Sequence, residues 1–202
     1  MGVINVTPDS FYNNSRQNTI EKAVQKAEQM LQEGATILDI GGQSTQPNSK
    51  PITIQEEINR TIPVIENILK KNPEAIISID TYNAEVANIA VQNGASIIND
   101  ISAGDMDKNM LSTVAALKVP FIAMHIQGTP QTMQQNPQYE NVTNDIFNYF
   151  IKKIEQCRLA GINDVIIDVG FGFGKTIQHN MQLLKELHVF PMLHKAILLV
   201  VS

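Results

Sequence analysis

Ala75-Ile76-Ile77-Ser78-Ile79-Asp80-Thr81, then a helical pattern over 84–92, then Ser96-Ile97-Ile98-Asn99-Asp100: this stretch holds the fold in miniature. Short isoleucine-rich runs bounded by turn residues suit strands buried on both faces. Strand, helix, strand at this spacing argues a parallel sheet. Each run also stops on a hydrogen-bonding side chain, Asp80 in one and Asn99 in the other.

The same unit repeats outward in both directions. Strands are expected over 2–6, 36–40, 75–79, 96–98, 120–124, 165–168 and 196–201. The first helix is expected from a cap at Thr19, with Ala23, Ala27, Met30 and Leu31 as its apolar stripe and Gly34 as its stop. The second opens on a capping box, Thr53-Ile54-Gln55-Glu56, and Pro63 predicts a kink inside it. Further helices are expected over 84–92, 109–117, 144–160 and 180–187. A full barrel of eight such units takes about 250 residues. The expected fold class is therefore α/β, a TIM (β/α)8-type barrel, incomplete here with seven predicted parallel strands. An open doubly wound sheet, which tolerates any strand count, is the alternative. No linker, low-complexity stretch or charge block interrupts the series, so 1–202 reads as one domain.

Composition narrows the function. With 43% hydrophobic and 17% charged residues, the 202-residue chain is an ordinary globular sequence rather than a disordered one. Its net charge of −5 and lack of a basic stripe argue against nucleic acid and anionic membrane as partners. The longest apolar run, 196–201, is too short to span a bilayer. One cysteine, Cys157, excludes a disulfide framework and a multi-thiolate zinc site, and it reads as a small buried hydrophobe. A single thiol points to the cytoplasm.

Chemistry gathers where the strands stop. The first ends in Asn5, the second carries Asp39 before Gly41-Gly42, and the third ends in Asp80-Thr81. The fourth ends in Asn99-Asp100, the fifth in Met124-His125, the sixth in Asp168. In a barrel those ends converge on one mouth. Each Asp or Asn there could instead cap the following helix, as Thr81 or Asn83 could after the third strand. Six in succession point to a shared polar site, because buried carboxylates and carboxamides need partners. Such a set suits a planar heterocycle with an amidine-like edge, whose paired N–H groups one carboxylate can accept. No dense metal cage is present, but Mg²⁺ held by one protein oxygen plus substrate phosphates fits. Val169-Gly170-Phe171-Gly172-Phe173-Gly174-Lys175 lacks the glycine spacing of a phosphate loop, with Val169 where its first glycine would stand. Its alternating glycines instead suggest a bend approaching a ligand closely, with Lys175 able to reach an anion.

Six stretches together resemble the dihydropteroate synthase family. They are 1–11 (Met-Gly-Val-Ile-Asn-Val-Thr-Pro-Asp-Ser-Phe), 39–47 (Asp-Ile-Gly-Gly-Gln-Ser-Thr-Gln-Pro), 78–81 (Ser-Ile-Asp-Thr), 99–102 (Asn-Asp-Ile-Ser), 124–130 (Met-His-Ile-Gln-Gly-Thr-Pro) and 170–175 (Gly-Phe-Gly-Phe-Gly-Lys). They occur in family order along the whole chain. The resemblance implies a TIM barrel that condenses 6-hydroxymethyl-7,8-dihydropterin diphosphate with p-aminobenzoate, releasing pyrophosphate, in folate synthesis. It implies pterin binding by Asp80, Asn99, Ile101, Met124 and Asp168, catalytic roles for Asp80, Asp168 and Lys175, and Mg²⁺ as cofactor, contacted by Asn5. Phe11, Thr45, Pro47 and Phe173 match the p-aminobenzoate pocket, where sulfonamides compete. Small-molecule substrates, a homodimeric full-length protein and two mobile loops over the site are also implied.

The chain departs from that pattern in places. Gln43 and Gln46 stand for the usual Glu and Arg of the second loop, Val169 for a Pro and Val200 for a Gly. Ser202 matches the first residue of a Ser-Arg-Lys-Ser motif. The expectation is therefore a fragment that stops before the eighth strand and has little synthase activity of its own. Two other readings are a methyltetrahydrofolate–corrinoid methyltransferase-like pterin barrel and an inactive pterin-fold remnant.

Overall fold

The structure, a computed structural model, describes residues 1–7, 16–44 and 49–200, with only the backbone of 16–18. Its contacts cluster into two compact units, Met1–Ser44 with Lys50–Asn99, and Asp100–Ser202.

The first unit alternates β1 (Gly2–Asn5), α1 (Arg16–Gln32), β2 (Ile37–Gly41), α2 (Ile54–Lys71), β3 (Ile76–Asp80), α3 (Ala84–Gln92) and β4 (Ile97–Asp100). All its strand pairs are parallel. Register aligns Ile4, Ile40, Ile79 and Ile98 in one row, and all four are fully buried. Side chains alternate between faces along a strand, so this row marks the face on which the helices pack. Two glycines show how closely they do so. A Cβ on Gly2 would stand 2.7 Å from Met30 Sδ of α1, and one on Gly42 would stand 2.8 Å from Thr61 of α2. Ala23, Ala27, Val64, Ile65, Ile68, Val86 and Ala90 complete this core from the helix side.

The second unit carries α4 (Met110–Leu117), β5 (Phe121–Met124), α5 (Val142–Ala160), β6 (Val165–Asp168), α6 (Ile177–Lys185), a 3₁₀ segment (Leu187–Leu193) and β7 (Ala196–Leu198). β5, β6 and β7 pair in parallel. Phe121, Ala123, Ile146, Phe150, Ile167 and Phe190 form its fully buried core.

All seven expected strands are present, each within one or two residues of its expected start. Local chemistry explains the differences elsewhere. α1 begins at Arg16, so Thr19 lies inside it rather than capping it. α5 begins at Val142, two residues before the expected start, because Asn141 Oδ1 caps it by accepting the Asn144 N–H at 3.0 Å. α6 begins at Ile177, where Thr176 and His179 form a reciprocal capping box. A histidine in that role is not part of the usual Ser/Thr-x-x-Glu signature. Thr53 caps α2 as expected, accepting from Glu56 N at 3.2 Å, and α2 runs on through Pro63 to Lys71.

Candidate functional site

In the first unit the face opposite the helices turns polar toward the strand ends. Register places Asn5 beside Gly41, Gly41 beside Asp80, and Asp80 beside Asn99. These residues end their strands, and paired residues of parallel strands share a face. The result is a lateral row of one carboxamide, one bare backbone position, one carboxylate and a second carboxamide. Asn5 is exposed and Asp80 and Asn99 are half-buried, so the row is accessible. A Cβ on Gly41 would stand 3.1 Å from Asp80 Oδ2 and 3.2 Å from Asn5 Oδ1. The glycine therefore leaves a gap flanked by two hard oxygens. Neither Asp80 nor Thr81 caps α3, whose N-cap residue Asn83 makes no side-chain cap hydrogen bond. Thr81 Oγ1 accepts the Asn83 N–H at 3.1 Å, and α3 starts after Asn83.

Two residues deeper on the same face lie Asp39 and Ser78, themselves paired in register and both buried. Asp39 Oδ2 accepts from Asn99 Nδ2 at 3.0 Å. Asp39 Oδ1 and Ser78 Oγ are buried and make no hydrogen bond of normal geometry. Burial pushes the Asp39 carboxyl up to about 6, against the opposing pull of Ser78 and Asn99.

Behind the strand ends, α2 supports the loops. Glu57 is fully buried and accepts from Asn83 Nδ2 at 2.6 Å. Burial raises its pKa. Arg60 Nη1 donates to Gly42 O at 2.9 Å. Gln43 is buried; its Nε2 reaches Lys50 O at 3.5 Å and its Oε1 accepts from Ile52 N at 3.2 Å. A glutamate there would have no hydrogen to offer the Lys50 carbonyl.

In the second unit, Met124 and Asp168 are lateral neighbours at the ends of β5 and β6, both buried. Asp168 Oδ1 accepts the Gly170 N–H at 2.8 Å. The expected lysine is enclosed rather than outstretched. Lys175 Nζ lies 2.8 Å from Gly170 O, 2.9 Å from Phe173 O, 3.2 Å from His125 O and 3.1 Å from His125 Nδ1. Burial lowers its pKa to about 7, and the Asp168 carboxylate works against that. His125 is driven down to about 3, first by burial and then by Lys175, so the ring stays neutral. Tyr149 meets it edge-on at 4.8 Å.

The alternating glycines serve the chain's own backbone. All three have positive φ. A Cβ on Gly170 would stand 2.1 Å from His125 O, and one on Gly174 2.7 Å from Gln127 O. The expected close approach to a ligand is therefore corrected at these two positions, where the near atoms belong to 125–127. Gly172 alone has nothing within 4 Å.

Residues 1–202 match the pterin binding enzyme family. The chain belongs to that family. Within it, the chain is 45% identical over 192 residues to the dihydropteroate synthase of Haemophilus influenzae, covering 94% of this chain and 69% of that protein. The Xanthomonas albilineans dihydropteroate synthase with 4-aminobenzoic acid superposes with a TM-score of 0.91 at 38% identity, over 98% of this chain and 71% of that one. The same enzyme in complex with 7,8-dihydropteroate gives 0.87 at 36%, over 98% and 70%. The fold class is thus that of the TIM-barrel pterin enzymes, and the function class expected from the sequence, dihydropteroate synthase, a transferase of folate synthesis, agrees with these relatives.

For a pterin-binding chain, the strand-end residues divide clearly. Asn5, Asp80 and Asn99 form one row, and Met124 and Asp168 a second pair. Ile101 is buried in the turn after β4. Phe173 is half-buried, with its carbonyl on Lys175. Phe11, Thr45 and Pro47 lie outside the described residues, as does Gln46. Asp100 separates from Asn99, as adjacent residues on a strand must. Its Oδ1 accepts from Ser102 N and Oγ at 2.8 and 2.7 Å, and its Oδ2 from Gly104 N at 2.8 Å. It pins the turn. The sequence marked Asp39 as one of the polar strand-end residues, but nothing local showed that it pairs with Asn99. Among the described residues, no cluster of three or more His, Cys, Asp or Glu forms a metal cage, and no helix is long and apolar enough to cross a membrane.

Proposed function

We propose that this chain binds 6-hydroxymethyl-7,8-dihydropterin diphosphate and presents it to p-aminobenzoate. The row Asn5, Gly41, Asp80, Asn99 carries the reading, because it offers an accessible carboxylate flanked by carboxamides. The Asp80 carboxylate accepts the paired N–H groups of the pterin's amidine-like edge, and Asn99 completes the in-plane contacts. Asp168 is assigned to the same ring, with Met124 beside it and Ile101 as apolar support. Phe173, with Phe11, Thr45 and Pro47, is assigned to p-aminobenzoate.

The reaction exchanges one bond for another. The methylene C–O bond breaks with its electron pair leaving on pyrophosphate. The arylamine lone pair forms the C–N bond, and the nitrogen then sheds a proton. Asp80 and Asp168 favour positive charge developing on the pterin methylene. Lys175 ties the 170–175 turn to His125 through three carbonyls, and the Asp168 carboxylate favours its charged form against burial. Asn5 Oδ1, beside the open position at Gly41, offers a hard oxygen to Mg²⁺, which favours oxygen ligands and substrate phosphates. When bound, that ion would neutralise charge on the leaving diphosphate.

The homodimer belongs to the same reading. Its support is an exposed apolar stripe on α6, formed by Ile177, Met181 and Leu184. A cytoplasmic setting is supported by the single buried thiol, Cys157.

Calorimetric titration of the chain with the pterin diphosphate and Mg²⁺ tests the proposal. Saturable heat is expected, with affinity reduced at least about 10-fold by Asp80→Asn, which replaces a charge-assisted acceptor. A chain that evolves no binding heat is an inactive remnant, and the proposal is then wrong.

A further inference from the structure

Asp39 stands apart from the residues that the functional reading uses. It sits two positions before the end of β2, below the row that faces the ligand. Its Oδ2 nevertheless reaches Asn99 on β4, 3.0 Å away, passing across β3. Strands are about 4.8 Å apart, so this bridge spans nearly two strand spacings. The β3 residue paired with Asp39 is Ser78, whose small side chain leaves room for that bridge. A larger residue there would fill the path.

The chemistry of the pair has one sense. A carboxylate only accepts, so Asn99 must turn its Nδ2 toward Asp39. The opposite rotamer would set Asn99 Oδ1 against a carboxylate oxygen. One Nδ2 hydrogen is thereby committed below, and the carbonyl oxygen is left as acceptor for whatever lies above. Asp39 itself is buried, and its second oxygen, like the Ser78 hydroxyl, is buried without a hydrogen bond of normal geometry. Such a group is poorly placed for stability. Its one strong contact is the one that orients Asn99.

We propose that Asp39 is a positioning residue that fixes the donor–acceptor polarity of the Asn99 carboxamide, and so selects a pterin ring presenting N–H at that point. The inference rests on the proposed pterin site. It predicts an effect confined to the pterin side of the reaction, since Asp39 acts only through Asn99.

The test uses Asp39→Asn, nearly isosteric and able to pair with either face of Asn99, and Asp39→Ala, with folding checked by circular dichroism. Binding of 6-hydroxymethylpterin is measured by calorimetry, and the Asn99 side-chain amide is followed by ¹⁵N NMR. Both variants should bind about 10-fold more weakly, as expected when a fixed polar group must be re-ordered on binding. The two Asn99 amide protons, well separated in the parent because one faces a carboxylate, should move together in Asp39→Ala. Unchanged Asn99 signals, or unchanged pterin affinity, would overturn the positioning role. A parent chain that binds no pterin, with Asn99 signals still responding to Asp39, would overturn the ligand assignment instead.

Discussion

Asp39→Asn should make this protein more stable at neutral pH and leave it no more stable in acid. Burial raises the Asp39 carboxyl from its ordinary 3.8 to about 6. The folded state therefore holds that proton more tightly than the unfolded chain does. Below pH 3.8 the group is protonated in both states and costs nothing. Between 3.8 and 6 the unfolded chain releases the proton first, and stability falls as pH rises. Above 6 the full penalty applies. A shift of about two units corresponds to about 3 kcal/mol. Asparagine keeps the shape and the Asn99 pairing and removes the charge, so the variant should recover up to that amount at pH 8. For a chain of this size this is a rise in Tm of about 6–12 °C. Urea unfolding followed by circular dichroism from pH 4 to pH 8 gives the stability difference directly. It should grow with pH and level off above about 6. A difference that is flat with pH, or a variant less stable than the parent at pH 8, would refute the assignment of a buried, costly carboxylate. The gain should come with the weaker pterin binding described above, and that combination separates a functional carboxylate from a structural one.

Other expectations follow from the second unit. Lys175→Met removes the donor shared by Gly170 O, Phe173 O and His125 O; a loss of about 2–4 kcal/mol in urea unfolding is expected. Gly170→Ala drives a Cβ to 2.1 Å from His125 O and should prevent stable folding, whereas Gly172→Ala meets nothing within 4 Å and should cost about 1 kcal/mol of positive-φ strain. Comparable losses from the two glycines would show that conformational strain, not the approach to 125–127, controls this turn. His125 stays neutral down to about 3 in the folded state, so its contribution is lost as pH falls below its ordinary 6.5. His125→Gln should flatten that acid limb of the stability profile.

Much of the architecture was written locally. Isoleucine-rich runs, caps at Thr53 and stops at glycine are recognised over a few residues, and these signals placed every strand. Boundaries went astray where a cap used unexpected chemistry, as at Asn141 or in the Thr176–His179 pair, and where α1 starts three residues before the expected cap at Thr19. Lys175 was legible as a cation near the site, but its enclosure by backbone carbonyls was not. Those carbonyls come from its own turn and from His125, fifty positions earlier.

The sequence alone determined the alternation of strand and helix, the polar residue at each strand end, and a family resemblance carried by those same positions. All of these are properties of neighbouring residues. The tertiary structure alone decided which end residues stand together. Period-two alternation says that Asn99 and Asp100 point apart, but only strand register shows that Asn99 joins Asp80 while Asp100 pins a turn. Nor does any local pattern reveal that Asp39 meets Asn99 across Ser78, because that contact joins residues sixty positions apart through the pairing of three strands.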